Sequence, residues 1–432
     1  MTMADPTNRR RFLTALGASS VALTAGCTDQ VPDDVLSGSE ENGDDDTAPV
    51  GDDDEQDTTP PAIDHGEVVD DFGDLDDWAP LDGEITPDEE EALTGSQVPR
   101  IENAGNTAGM FRAYPDGLDI SGHHLSLAVQ VENPRPIGVT VRILAPGEAD
   151  QLESTRTIVD TYEGWLRMDV GYTNQRGEPL LDDVQEIQIL IESEEEEEIR
   201  FWVDDLRMTP QADQGYVMLT FDDGAESHYE NAFPLLEERD MQAVAAVVPD
   251  SLNQDDRLSI DHIREMRDAG WDIASHPEGD AFMELEDTDA VRQDLESAHD
   301  YLDNRGFPEG ARSMFVPYHN TNEEVVEITR EYHELSSYFG GTPNAVPFTD
   351  PLHLSRVDMH DVEGFTELID MAEAHNQLAI GLAHGVVDES EINDDPLADM
   401  TIEDLEELLD YIEESDVQVV TASQLIDSQD DL

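Results

Sequence analysis

The chain has 432 residues, with 104 Asp and Glu against 21 basic side chains, all of them Arg, for a formal net charge of -83. That balance excludes a nucleic-acid partner, since nothing in it could neutralise phosphates. It also repels a compact fold in dilute buffer but not in molar salt, where the screening length falls to about 3 Å. The composition resembles that of proteins from extreme halophiles, and an apolar fraction of 38% still provides a core.

In chain order, Arg9-Arg10-Arg11-Phe12-Leu13 precedes a short apolar stretch from Leu16 to Ala25, followed by Gly26 and Cys27. A charged start, a short apolar core and small residues predict a secretory signal over 1–27. The paired arginines resemble a twin-arginine export signal. Ala25-Gly26-Cys27 resembles a lipobox, which implies export and a membrane anchor through Cys27, the only cysteine. The apolar stretch is too short for an ordinary membrane span. Residues 28–95 lack basic side chains and are crowded with Asp, Glu, Pro, Gly and Thr. They read as an acidic disordered linker.

Over 96–210 the apolar residues recur with period two: Leu125, Leu127, Val129 and Val131; Val139, Val141 and Ile143; Leu166, Met168 and Val170; Ile187, Ile189 and Ile191. Half-buried strands separated by turn residues predict an all-β sandwich. Its last strand, Phe201-Trp202-Val203-Asp204-Asp205-Leu206, is similar to the final strand of jelly-roll carbohydrate-binding modules. Trp165 and Trp202 suit core packing better than stacking on a sugar ring.

From 211 to 432 strand and helix alternate. Strand-like runs fall at 216–221, 243–248, 271–274, 312–316, 378–383 and 417–421. Ser259 and Thr401 cap helices whose apolar residues share one face. The alternation predicts an α/β fold with a parallel sheet, most simply a distorted (β/α) barrel of about seven strands, with an open doubly wound sheet as the alternative. In such barrels functional groups gather at the C-terminal strand ends. There the sequence has Asp222-Asp223, Ser275-His276, Pro317-Tyr318-His319 and His384-Gly385. Adjacent carboxylates raise each other's cost of ionisation, which a bound cation relieves, so that one can ligate while the other handles protons.

With those residues in hand, 215–427 resembles the polysaccharide deacetylases, the family-4 carbohydrate esterases. Thr220-Phe221-Asp222-Asp223-Gly224 matches the first motif of that family, Ser275-His276 the second, Phe315-Val316-Pro317-Tyr318 the third, Leu354 to Asp358 loosely the fourth, and Leu382-Ala383-His384 the fifth. The resemblance implies Asp222 as general base, Asp223 and His276 as metal ligands, and Tyr318 as the donor of an oxyanion-stabilising backbone amide. His384 is then the general acid, with Asp358 holding its tautomer. It further implies a divalent metal, zinc first and cobalt, nickel or manganese as alternatives, and an acetylated polysaccharide as substrate. Two positions depart from the pattern. The second histidine of motif two falls on Asp280, which is then the third ligand, and the arginine of motif three is Phe315. Arg356 is the replacement for that arginine, with Arg312 the weaker candidate. His228 and His319 read as polar loop residues. A glycan-binding protein that has lost catalysis, and an amidase acting on a small molecule or peptide, are the alternative readings.

Overall fold

The computed structural model describes residues 66–429 apart from 195, 278, 280, 284, 286 and 393–398. The expected export signal, Cys27, most of the acidic linker and the candidate ligand Asp280 therefore lie outside the described residues.

Strands β1 (Glu67–Asp70), β2 (Trp78–Asp82), β3 (Glu84–Asp88), β4 (Val98–Asn103), β5 (Thr107–Leu118), β6 (His123–Asn133), β7 (Ile137–Gly147), β8 (Asp150–Ile158), β9 (Leu166–Asp169), β10 (Asn174–Arg176), β11 (Val184–Glu192) and β12 (Ile199–Pro210) build two antiparallel sheets. One runs β3-β4-β12-β6-β9 with β1 added on β12, the other β10-β8-β7-β11-β5-β2. Every residue of the period-two sets named above is buried in one apolar cluster between the sheets, the sandwich that alternation predicts. The stretch 66–95, which composition assigns to the linker, instead carries β1–β3 and contributes Phe72 and Trp78 to that core. Trp165 and Trp202 pack with Val98 and Ala128 beneath Ala92 and Leu93, away from solvent.

Strands β13 (Tyr216–Phe221), β14 (Val244–Val247), β15 (Asp272–Ser275), β16 (Ser313–Phe315), β17 (Leu335–Phe339), β18 (Leu354–Asp358) and β19 (Leu378–Ala383) follow, all paired in parallel. Their order is sequential, and β13 pairs with both β14 and β19, so the ring closes with seven strands. Two short strands, β20 (Gly385–Val387) and β21 (Asp399–Thr401), pair with each other beyond the ring, and β22 (Gln418–Val419) pairs in parallel with the first residues of β13. The run expected at 417–421 is thus a short strand beside the start of β13 and not one of the seven that close the ring, while β17 and β18 supply the ring members missing from the six runs read in the sequence. Alternation along each strand sorts the core. Tyr216, Met218, Val244, Ala246, Ala274, Phe315, Leu354 and Ile380 fill the lumen. Val217, Leu219, Phe221, Ala245, Val247 and Ile273 face the surrounding helices. Ser259 and Thr401 do cap helices, Ile260–Asp268 and Ile402–Glu414.

Sandwich and barrel share buried ground. Val326 and Leu352 of the barrel half belong to the sandwich core. Arg156, fully buried, donates to the His353 carbonyl, and Asp169 accepts from the Ala345 amide (3.0 Å) and the Thr349 hydroxyl. Among the described residues no helix is long and apolar enough to cross a membrane.

Candidate active site

The alternation that sends Met218 and Thr220 into the lumen carries Asp222 to its rim, and in the same way Ala274 leads to His276 and Leu354 to Arg356. Asp222 is 1% exposed and Arg356 0%. The Arg356 guanidinium grips both carboxylate oxygens, Nη1 to Oδ1 at 2.9 Å and Nη2 to Oδ2 at 2.8 Å, in the bidentate geometry that suits arginine. Beneath it lies the Phe315 ring, 5.4 Å from the guanidinium carbon. Burial by itself would push the Asp222 carboxyl up. The Arg356 charge, and behind it His276, outweigh burial and hold it below the usual carboxylate range. Arg312, by contrast, is occupied by Glu334 and Asp427 in partly exposed ion pairs.

Asp223 and Gly224 both adopt positive φ, 71° and 63°, a tight turn that an Asp tolerates and a Gly favours. The turn leaves the Asp223 side chain 42% exposed, with Oδ1 3.3 Å from His276 Nε2. The other ring nitrogen of His276, Nδ1, donates to the Phe315 carbonyl at 2.8 Å, so Nε2 is the atom that meets the carboxylate. The hydrogen bond to His276 is the main reason Asp223 stays strongly acidic. Burial would lower His276, but Asp222 and then Asp223 outweigh it and raise its pKa. The space between Nε2 and Oδ1 therefore takes either a proton or a cation. An imidazole held through Nδ1 by a carbonyl, beside a carboxylate, is a donor set that fits a divalent transition metal. Among the described residues no third His, Cys, Asp or Glu completes such a cluster.

Pro317–Asn320 forms a tight turn, closed by the Asn320 amide on the Pro317 carbonyl at 3.1 Å. Its central residues, Tyr318 and His319, have φ of 54° and 58°. Turns of this kind prefer Asn-Gly, so two bulky residues here store strain of a sort found at functional sites. Tyr318 is 58% exposed at the mouth. His319 is drawn in beside the Phe339 ring, 5.6 Å between centroids, and its Nδ1 is buried without a partner. Burial, and then the Arg356 charge, lower its pKa to about 3.

His384 follows β19 at the same rim, half-buried. Asp358 lies close enough for the two to influence each other electrostatically, but no hydrogen bond joins them; burial raises the Asp358 pKa against the opposing pull of His360 and then His384. His228, read from the sequence as a polar loop residue, is wholly buried, and its Nε2 donates to the His384 carbonyl at 2.6 Å. No local pattern marks His228, because it gains its place from a strand end distant in sequence, while His319 is drawn in by the turn that follows β16. Asp222, Asp223, His276, Tyr318, Arg356, Asp358 and His384 are thus gathered at one end of the ring.

Among solved structures, the chain is similar to the Xyl-CE4 domain of a multidomain xylanase from the hindgut metagenome of Trinervitermes trinervoides, at 15% identity, covering 50% of this chain and 92% of that one with a TM-score of 0.37. It is also similar to a family 4 acetyl xylan esterase from Clostridium thermocellum in complex with a cobalt ion, at 16% identity, 49% and 90% coverage and a TM-score of 0.34. A family 11 carbohydrate-binding module of a cellulosomal cellulase from Clostridium thermocellum aligns at 15% identity, 34% and 95% coverage and a TM-score of 0.27. No curated protein matches the chain. Residues 209–333, which hold Asp222, Asp223, His276 and Tyr318, match the family model of polysaccharide deacetylase.

Proposed function

We propose that this chain is a metal-dependent deacetylase that removes acetyl groups from N- or O-acetylated cell-surface or extracellular polysaccharide. The observation that carries the reading is the buried Asp222–Arg356 pair beside Asp223 and His276 at the mouth of a closed parallel barrel. Asp223 and His276, with Asp280 as third ligand, would hold a divalent metal, zinc first, which when bound supplies Lewis-acid polarisation of the acetyl carbonyl and an acidified water. Arg356 keeps Asp222 ionised and fixes the direction of its lone pairs, so that the carboxylate takes the proton of the attacking water. The Tyr318 amide offers a hydrogen bond to the developing oxyanion. His384 gives a proton to the departing amine or alcohol. The exposed Tyr318 ring at the rim suits a sugar, which has an apolar face to lay on it. Export and lipid anchoring at Cys27 complete the proposal; a Cys27→Ala protein that still fractionates with membranes would remove that part of it.

The test is acetate release from acetylated chitooligosaccharide and acetylated xylan, in molar salt with added zinc, by wild type and Asp222→Asn. The variant should lose at least the factor of about 10²–10⁴ that proton transfer contributes, with an unchanged far-UV circular dichroism spectrum. Equal rates for the two proteins would end the proposal.

A further inference from the structure

After the turn at Asp223-Gly224 the chain enters a π-helical turn, His228–Ala232, closed by the Phe233 amide on the His228 carbonyl. Such turns are rare, and where they occur they are often functional. Three side chains of this segment bond to one short stretch of backbone beyond β19. His228 Nε2 donates to the His384 carbonyl at 2.6 Å, the Ser227 hydroxyl accepts from the Val386 amide at 3.1 Å, and Asn231 Nδ2 donates to the Val386 carbonyl at 2.7 Å. On its far side the same stretch, β20, pairs with β21.

A carbonyl only accepts, so the proton of His228 sits on Nε2. Nδ1 is then a bare lone pair, buried with no partner. The ring packs on Phe221 at 5.5 Å. Burial pulls its pKa down to about 4, so it stays neutral and keeps that tautomer near neutral pH. A leucine or phenylalanine would fill the site without leaving an unpaired nitrogen, which costs stability. What the imidazole adds is the bond to His384. Among the described residues the His384 imidazole has no hydrogen-bond partner, so its place at the rim is set through its backbone.

We infer that Ser227, His228 and Asn231 form a clamp on the His384–Val386 backbone, and that His228 is the positioning residue that aims His384 at the leaving group. The inference rests on the proposed role of His384 as general acid. The clamp itself is a property of the fold and is read separately.

The test compares wild type, His228→Phe, His228→Gln and His384→Ala on two substrates. One is an N-acetylated chitooligosaccharide, whose amine must be protonated to leave. The other is 4-nitrophenyl acetate, whose phenolate leaves unaided. His228→Phe should lower kcat on the amide by about tenfold or more with KM held within about twofold, while turnover of the aryl ester changes by less than about twofold, because only the amide needs the acid. His228→Gln, which keeps a donor near the position of Nε2, should recover most of the loss. His384→Ala should show the same selectivity in stronger form. Equal losses on both substrates in His228→Phe, or no rescue by Gln, would overturn the positioning role. Backbone amide exchange in Gly385–Val387 of the same proteins reads the clamp without any turnover, and His228→Phe should exchange there at least about tenfold faster than wild type. Unchanged protection would overturn the clamp. Faster exchange in a protein whose wild type releases no acetate would support the clamp and refute the deacetylase reading instead.

Discussion

Replacing Arg356 by Met keeps an unbranched, flexible stem and removes the guanidinium and its charge. In the native protein both oxygens of Asp222 are held, at 2.9 and 2.8 Å, by a guanidinium with no exposure to solvent. Removing one partner of such a pair strands the other, and the cost is about 3–5 kcal/mol. The stranded carboxyl escapes part of a larger penalty by taking up a proton. Against a total stability of about 5–15 kcal/mol for a folded domain, the loss is large. Urea unfolding in molar KCl, followed by circular dichroism, reads it, since salt screens the -83 background without reaching a buried pair. Adding Asp222→Asn to Arg356→Met removes the stranded charge and should return about 1–3 kcal/mol, measured as the coupling term of a double-mutant cycle. A loss below about 1 kcal/mol in Arg356→Met is the scale of an exposed pair, and with strict additivity in the double variant it would refute the reasoning.

Three further outcomes follow from the same structure. A Cβ on Gly171 would lie 1.8 Å from the Pro343 carbonyl, where the sandwich meets the barrel, so Gly171→Ala should destabilise by about 1–3 kcal/mol; a neutral result would mean the two halves are not packed this closely. Burial, and then the Glu327 charge, raise the Glu323 carboxyl from 4.5 to about 7. The folded protein holds that proton more tightly than the unfolded chain, so its contribution is full below pH 4.5 and is lost as pH rises through 7. Glu323→Gln should therefore gain in thermal midpoint relative to wild type between pH 5 and pH 8, and a constant difference would contradict this. Metal content by mass spectrometry in molar salt should show about one transition metal per chain in wild type and none in His276→Ala or Asp280→Ala, while an Asp280→Ala protein that keeps its metal would remove Asp280 from the ligand set.

The fold was legible where burial has a local signature. Period-two runs such as Leu125 to Val131 and Ile187 to Ile191 name the sandwich core, and short apolar runs such as Tyr216 to Phe221 name ring strands. Two ring strands lacked that signature. Leu335-Ser336-Ser337-Tyr338-Phe339 buries both serines within the barrel. Leu354-Ser355-Arg356-Val357-Asp358 carries an arginine whose burial makes sense only once Asp222, 134 residues away, is beside it. The acidic stretch 66–95 has the composition of a solvated tether, yet Trp78 and its neighbours pair with β5, a contact no window of sequence contains. At the candidate site the motif residues were legible as strand-end residues. The histidines around them were not, because His228 is buried by what β19 brings to it and His319 by a strained turn.

The last strand of the ring decides when any of this chemistry can exist. Arg356 on β18 reaches Asp222, just past the end of β13, across β19, and the Thr220 hydroxyl meets the Gly381 carbonyl, 161 residues further along. Until β19 docks, β13 has a free edge, and the carboxylate beyond it has neither a fixed direction nor its counter-charge. Contacts of such range form late, since the loop entropy must be lost before they are made. On the proposed deacetylase reading, catalytic competence and ring closure arrive in one event, so a nascent or truncated chain that stops short of β19 should be inert rather than partly active, and the time course of regained activity on refolding would be a clock for closure itself.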